Sequence, residues 1–206
     1  MPKETSVVHQ VDYESEHITF RSIWHAALVL REAGEKDDSN GFWFLMAAGV
    51  LGYTAYEGFV NDLIERVFPE IWVEERTQFV GDYRGTLGKT LFLSEKLDVA
   101  LERGRRPYST VAELHAWRNE LVHPRTVRVR GITRADAYAK KPKRARPVAF
   151  ARLERPAFLS RCFADVPRLA DVLLEGAREK HGVAVSDLDD IAFSGVLGSG
   201  GASLRR

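Results

Sequence analysis

The chain of 206 residues is 45% hydrophobic and 29% charged, with 30 Lys+Arg against 29 Asp+Glu, which excludes collagenous, mucin-like and wholly disordered proteins. Its size supports a core of its own, and the lone cysteine, Cys162, excludes an intramolecular disulfide and any cysteine-rich metal site. A reducing cytoplasm is the expected setting: the opening MPKETSVVHQVDYESEH has no apolar signal core, and the uncharged stretch Ser39–Tyr56 is too short in its apolar part to span a membrane.

Helical spacing dominates, and strict alternation is nearly confined to TVRVRGIT, so the expected fold is all-α, an antiparallel helical bundle. Residues 1–12 read as an N-terminal extension and 13–182 as one helical domain. The first helix is expected from Tyr13 to about Ala33, with Phe20, Ile23, Trp24, Ala27 and Leu30 at core spacing. A polar turn over 35–41 leads into a second helix, 42–68. Its first half is apolar nearly all round, and Ala48, Gly49, Gly52 and Ala55 are small enough to admit a close neighbour, which marks it as the central element. Pro69 breaks it, and the path over 71–83 stays open. A third helix follows over 86–101, carrying Leu87, Leu91, Leu97 and Leu101, before GRRP forces a turn. Thr110 followed by Glu113 forms a capping box that starts a fourth helix, Val111 to His123, ended by Pro124. The final helix lies within Pro156 to His181, with Leu159, Cys162, Phe163, Val166, Ala170 and Leu173 on one stripe. Pro167 implies either a kink or a later start near Asp165. Residues 183–206 read as a flexible tail, disordered from about 195, where GVLGSGGASLRR is too rich in Gly and Ser to pack.

Charge is unevenly spread. From Pro124 to Arg152 ten basic residues stand against one acid, Asp136, a net of +9; with the whole chain at +1, the remainder carries −8. Such a basic loop insertion suits a polyanion, because each neutralised phosphate releases counterions. Arg125, Arg128, Arg130, Lys140, Lys141, Lys143 and Arg144 are the candidate RNA contacts, a solvated loop or short hairpin being the bland alternative.

Several chemistries lack their residues. There is no His-Glu-x-x-His, and the six histidines show no metal-ligand spacing, so no metal and no cofactor is expected. GTLGKT lacks the first glycine of a phosphate loop, whose place is taken by Tyr83, and no strand precedes it. Cys162, on a core stripe, reads as a small buried hydrophobe. What remains is HAWRNELVHP. At 100° per residue, Arg118, His115, Asn119 and His123 share an arc of about 140°, opposite Leu114, Trp117 and Leu121. Val111 and Val122 fall among the polar groups, giving a mixed face that suits a cleft or a subunit contact.

These groups match phosphodiester cleavage. Histidine exchanges protons near neutral pH and can take one from a ribose 2′-hydroxyl. Arginine offers a planar fork of donors to phosphate oxygens and to a five-coordinate transition state, and asparagine can orient either partner. The plainer alternative is that Arg and His satisfy the last carbonyls of the helix.

RNELVHP resembles the signature of the HEPN superfamily, in which arginine, a polar residue and a histidine four to six residues on lie at a helix end. Arg118, Asn119 and His123 match it. Tyr53–Val67 (YTAYEGFVNDLIERV) is similar to that family's earlier core helix, here with Glu57, Asn61 and Asp62, and Leu87–Leu97 to the region before its motif helix. The resemblance covers about 13–124, with the final helix a further candidate. It implies a bundle that dimerises so that two motif helices face one cleft, in many members a metal-independent endoribonuclease leaving 2′,3′-cyclic phosphate ends. Many members are toxins with an antitoxin partner, or act in phage defence. His123 would then be base or acid, Arg118 the phosphate stabiliser and Asn119 a polar helper. Glu57 and Asn61, one turn apart, are expected to share a partner, Glu57 reaching Arg118, an active-site backbone group or solvent. His115 is read as a substrate contact or a surface residue, and Lys89 and Lys96 as solvated. A catalytically silent nucleic-acid or nucleotide-binding module or scaffold is the alternative function, and a plain interaction protein a third.

Overall fold

The computed structural model describes residues 18–123, 150, 153, 156–182 and 192–193. The N-terminal extension, the first residues of the expected opening helix, nearly all of the basic segment with TVRVRGIT, and most of the tail lie outside them. Every helix that the sequence predicts is present, and there is no strand among the described residues.

α1 (Thr19–Lys36) and α2 (Gly41–Val67) form a hairpin joined by four residues. Asp37 builds the turn: its Oδ1 accepts the backbone amides of Asn40 at 2.8 Å and Ser39 at 2.7 Å, and these bonds hold its carboxyl below the usual range. Glycine is required where the two helices meet, since a Cβ on Gly41 would lie 2.4 Å from the Gly34 carbonyl oxygen. At the far end Phe20 packs edge-on against Phe59, so the pair runs antiparallel.

The small residues of α2 act as the sequence predicts. Ala48, Gly49, Gly52 and Ala55 are buried; Gly49 faces Trp117 and Leu159, and Gly52 faces Trp24 and Phe163. Side chains of three other helices thus converge on this stretch of α2. Pro69 both ends α2 and opens α3 (Pro69–Val73), a first-turn position where its missing N–H is harmless. α4 (Glu75–Gln78) and a 3₁₀ turn (Gly81–Tyr83) complete the stretch whose path stays open in the sequence.

α5 (Gly85–Lys96) stops short of the expected 101. Asp98 adopts φ 57°, in the left-handed region, and the chain reverses with Ser94 Oγ donating to the Val99 carbonyl at 2.7 Å. Leu97 is buried there, and Leu101 packs on the core from outside any helix. α6 (Tyr108–Val122) begins a turn earlier than the capping box predicts. Thr110 is buried within it, hydrogen-bonded to Asp165, and Glu113 pairs with Arg161 at 2.9 Å. Tertiary partners outcompete the local cap.

α7 (Pro156–His181) runs uninterrupted through Pro167, without the expected later start, and buries Leu159, Cys162, Phe163, Val166, Ala170 and Leu173. Burial pushes the Cys162 thiol up to about 12, so it packs as a hydrophobe. Glu113–Arg161 and Thr110–Asp165 set α6 antiparallel to α7. α5 and α7 follow the direction of α2, from Glu57–Thr86 to Phe68–Phe92 and from Gly52–Phe163 to Phe68–His181. The bundle is therefore mixed in direction, not uniformly antiparallel.

Two expectations about exposure change. Lys89 is buried, its Nζ donating to Asn61 Oδ1 at 2.7 Å and pairing with Glu75, over the rings of Trp72 (4.9 Å) and Phe79 (5.2 Å). α3 and α4, invisible to periodicity, supply that cage. Lys96 is exposed as expected, with Nζ 5.8 Å from the Phe92 ring centre. Phe193, in the stretch read as tail, is buried against Phe20, Trp24 and Phe59. No helix among the described residues is long and apolar enough to cross a membrane.

Candidate active site

α6 carries the motif because its apolar side is anchored. Leu114 and Trp117 are buried, and the Trp117 ring fills the space over Gly49 and meets Phe158 edge-on at 5.8 Å. That packing turns His115, Arg118 and Asn119 toward α2 and the start of α5.

The Arg118 guanidinium is three-quarters buried, at 24% exposure, and its carbon lies 5.5 Å from the centre of the Tyr53 ring. Nη1 donates to Asn119 Oδ1 at 3.1 Å, Nη2 lies 3.6 Å from Glu57 Oε2, and Nε is buried with no partner among the described residues. Of the alternatives open to Glu57, the structure has the one that faces Arg118. At 3.6 Å it is an ion pair without a short hydrogen bond. Glu57 Oε1 accepts the Thr86 hydroxyl at 2.9 Å.

His115 belongs to this cluster and is half-buried. Nδ1 is 2.5 Å from the Tyr53 hydroxyl and Nε2 is 2.9 Å from Asn119 Nδ2. Burial pushes the Tyr53 hydroxyl up to about 12. Two polar chains therefore start at Arg118: Asn119, His115 and Tyr53 on one side, Glu57 and Thr86 on the other. Burial and the Arg118 charge lower the His115 pKa, against the opposing pull of Glu57.

Asn61 and Glu57 do not share a partner, since Asn61 is held by Lys89. One turn of α5 separates Thr86 from Lys89, so α2 and α5 are joined by two parallel polar links. Tyr53 and Thr86 are the members the sequence reading missed. Tyr53 is four residues before Glu57 on the same helix, a spacing that could have flagged it.

His123 stands apart. It is the residue after α6, with φ −116° and ψ 62°, so it leaves the helical arc that sequence spacing assigns to it. Its backbone N–H bonds the Asn119 carbonyl at 3.1 Å, while the residue is exposed and no hydrogen bond, ion pair or ring contact joins its ring to a described residue. Arg118 and Asn119 are thus brought together, and His123 follows at the helix end. Val122, also exposed, lies beside it. Arg125, Arg128, Arg130, Lys140, Lys141, Lys143 and Arg144 lie outside the described residues. Among those described, no group of three His, Cys, Asp or Glu is placed to hold a metal ion.

Replacing Glu57 by glutamine removes the charge facing Arg118 and weakens the acceptor for Thr86. The expected cost is about 1 kcal/mol, a melting point lower by about 2–4 °C, with reduced turnover of RNA. Melting and turnover that both match the parent protein would show that Glu57 anchors nothing.

Fold and site define an all-α protein with an Arg-Asn-x-x-x-His constellation at the end of a helix whose opposite face is core. No family model, no curated protein and no solved structure matches the chain.

Proposed function

We propose that the protein is a metal-independent endoribonuclease whose reaction centres on Arg118 and His123. The observation that carries this reading is the pairing, at one helix end, of a guanidinium held from three sides with a solvent-facing imidazole. A fixed cation costs no reorganisation when charge develops, and a free imidazole can reach a substrate proton.

In the proposed reaction His123 takes the proton of a ribose 2′-hydroxyl. The 2′-oxygen attacks the adjacent phosphorus, the bond to the 5′-oxygen breaks, and that oxygen leaves with a proton from a general acid. Products are a 2′,3′-cyclic phosphate and a free 5′-hydroxyl. Arg118 donates to the phosphate oxygens as their charge grows, and Asn119, with its amide engaged by Arg118 and His115, keeps the guanidinium aimed. A second copy of the chain completes the cleft in this reading and its His123 supplies the acid. Exposed Val122 offers an apolar contact at that seam. The basic segment grips the RNA backbone, and a toxin or phage-defence role with an inhibitory antitoxin partner follows from the resemblance noted above.

The test is incubation of a mixed RNA pool with the full chain in EDTA, with analysis of product ends. Cleavage that persists and leaves cyclic phosphates is expected, and light scattering on the same sample reads the dimer. RNA bound but uncut would favour the silent binding module.

A further inference from the structure

We propose that His115 is a positioning residue for Arg118, acting through the Asn119 amide, and that it does so only as the neutral imidazole carrying its proton on Nδ1. The proposal rests on the reading of Arg118 as the phosphate-binding group.

Hydrogen-bond polarity leads to it. A guanidinium can only donate, so Asn119 must turn Oδ1 toward Arg118 Nη1 at 3.1 Å. Its Nδ2 then faces His115 Nε2 at 2.9 Å, and that nitrogen must accept. In a neutral ring the proton is therefore on Nδ1, donated to the Tyr53 oxygen at 2.5 Å. On the other side of Arg118, Thr86 donates to Glu57 Oε1 at 2.9 Å. The chain starts at a guanidinium, which only donates, so neither Asn119 nor a neutral His115 can reverse alone.

Protonation of His115 breaks this order. Nε2–H would oppose the Asn119 Nδ2 donors, the amide would have to turn over, and Nδ2 would then oppose Arg118 Nη1. The guanidinium would lose the contact that aims it. Around the ring, Tyr53 and Glu57 face it from α2 and Arg118 from its own helix, with Thr86 of α5 behind Tyr53. Burial and Arg118 resist protonation, and Glu57 favours it. The folded protein therefore binds its proton less readily than the unfolded chain. The stabilising contribution is full above the unfolded value of about 6.5 and is lost as pH falls below it toward the lower folded value.

The test uses the ¹⁵N-labelled full chain and needs no RNA. Long-range proton–nitrogen spectra should show His115 at pH 7 as the Nδ1–H tautomer, with a distinct Arg118 Nε–H signal that disappears as His115 titrates. The Arg118 signal should also vanish in His115→Ala and return in His115→Gln, whose side-chain oxygen can accept from Asn119. An Nε2–H tautomer, a charged ring at pH 7, or an Arg118 signal indifferent to both variants would overturn the proposal. In RNA cleavage, His115→Ala should lower kcat about tenfold with KM little changed, and His115→Gln should stay within about threefold while losing the acidic limb that His115 causes. Equal kcat and equal pH profiles for the two variants would also overturn it. A parent protein that cuts no RNA, yet shows the expected tautomer and Arg118 signal, would overturn the nuclease reading alone.

Discussion

His123→Ala is expected to lower RNA cleavage by about 10²–10⁴-fold, the usual contribution of a general base or acid. The substitution is clean because the ring is exposed and only the backbone of His123 takes part in ending α6. Melting should therefore be unchanged. Arg118→Ala should abolish cleavage too, but it also strips Glu57 and Asn119 of a partner and should lower stability. Arg118→Lys keeps the charge and loses the planar fork, and should recover little. Gel assays of product formation at fixed salt measure all three. Cleavage by His123→Ala at the parent rate would remove this histidine from the reaction and with it the proposed mechanism.

The largest effect on stability is expected from Trp117→Ala. The Trp117 ring is fully buried, fills the space over Gly49 and meets Phe158, and no small side chain can replace that volume. The expected loss is about 3–5 kcal/mol, a large share of the stability of a domain this size. Urea unfolding should show a lower midpoint with an unchanged slope. The loss bears on function because Trp117 holds the face opposite the motif: once α6 can shift, Arg118 and His115 leave their partners on α2. An unfolding free energy within about 0.5 kcal/mol of the parent, the spread of harmless surface changes, would mean that α6 is held elsewhere.

Much of this protein was legible in its sequence where local periodicity carries the information. The apolar stripes of α1 and α7, the small-residue run of α2 and the motif at the end of α6 all emerge from residue spacing, because a helix presents side chains at fixed angles and one stripe must be covered. The pairing of Glu57 with Arg118 was one of the alternatives that spacing left open, and only the fold selected it.

Where local signals misled, a partner distant in sequence had taken the group over. Thr110 and Glu113 spell a helix start, yet Asp165 and Arg161 claim them, and α6 begins a turn earlier. Lys89 reads as a solvated charge until α3 and α4 close a cage of carboxylate and aromatic rings around it. His115 reads as a surface residue until α2 supplies Tyr53.

The sequence alone determined the helical class, the order of the long helices and the residues of the motif, since each follows from patterns a few residues long. Only the tertiary structure decided which polar groups meet: the chains that run from Arg118 through Asn119 and His115 to Tyr53, and through Glu57 to Thr86, join three helices. Their geometry depends on where α2, α5 and α6 come to rest once their apolar faces are buried, and no single helix carries that information.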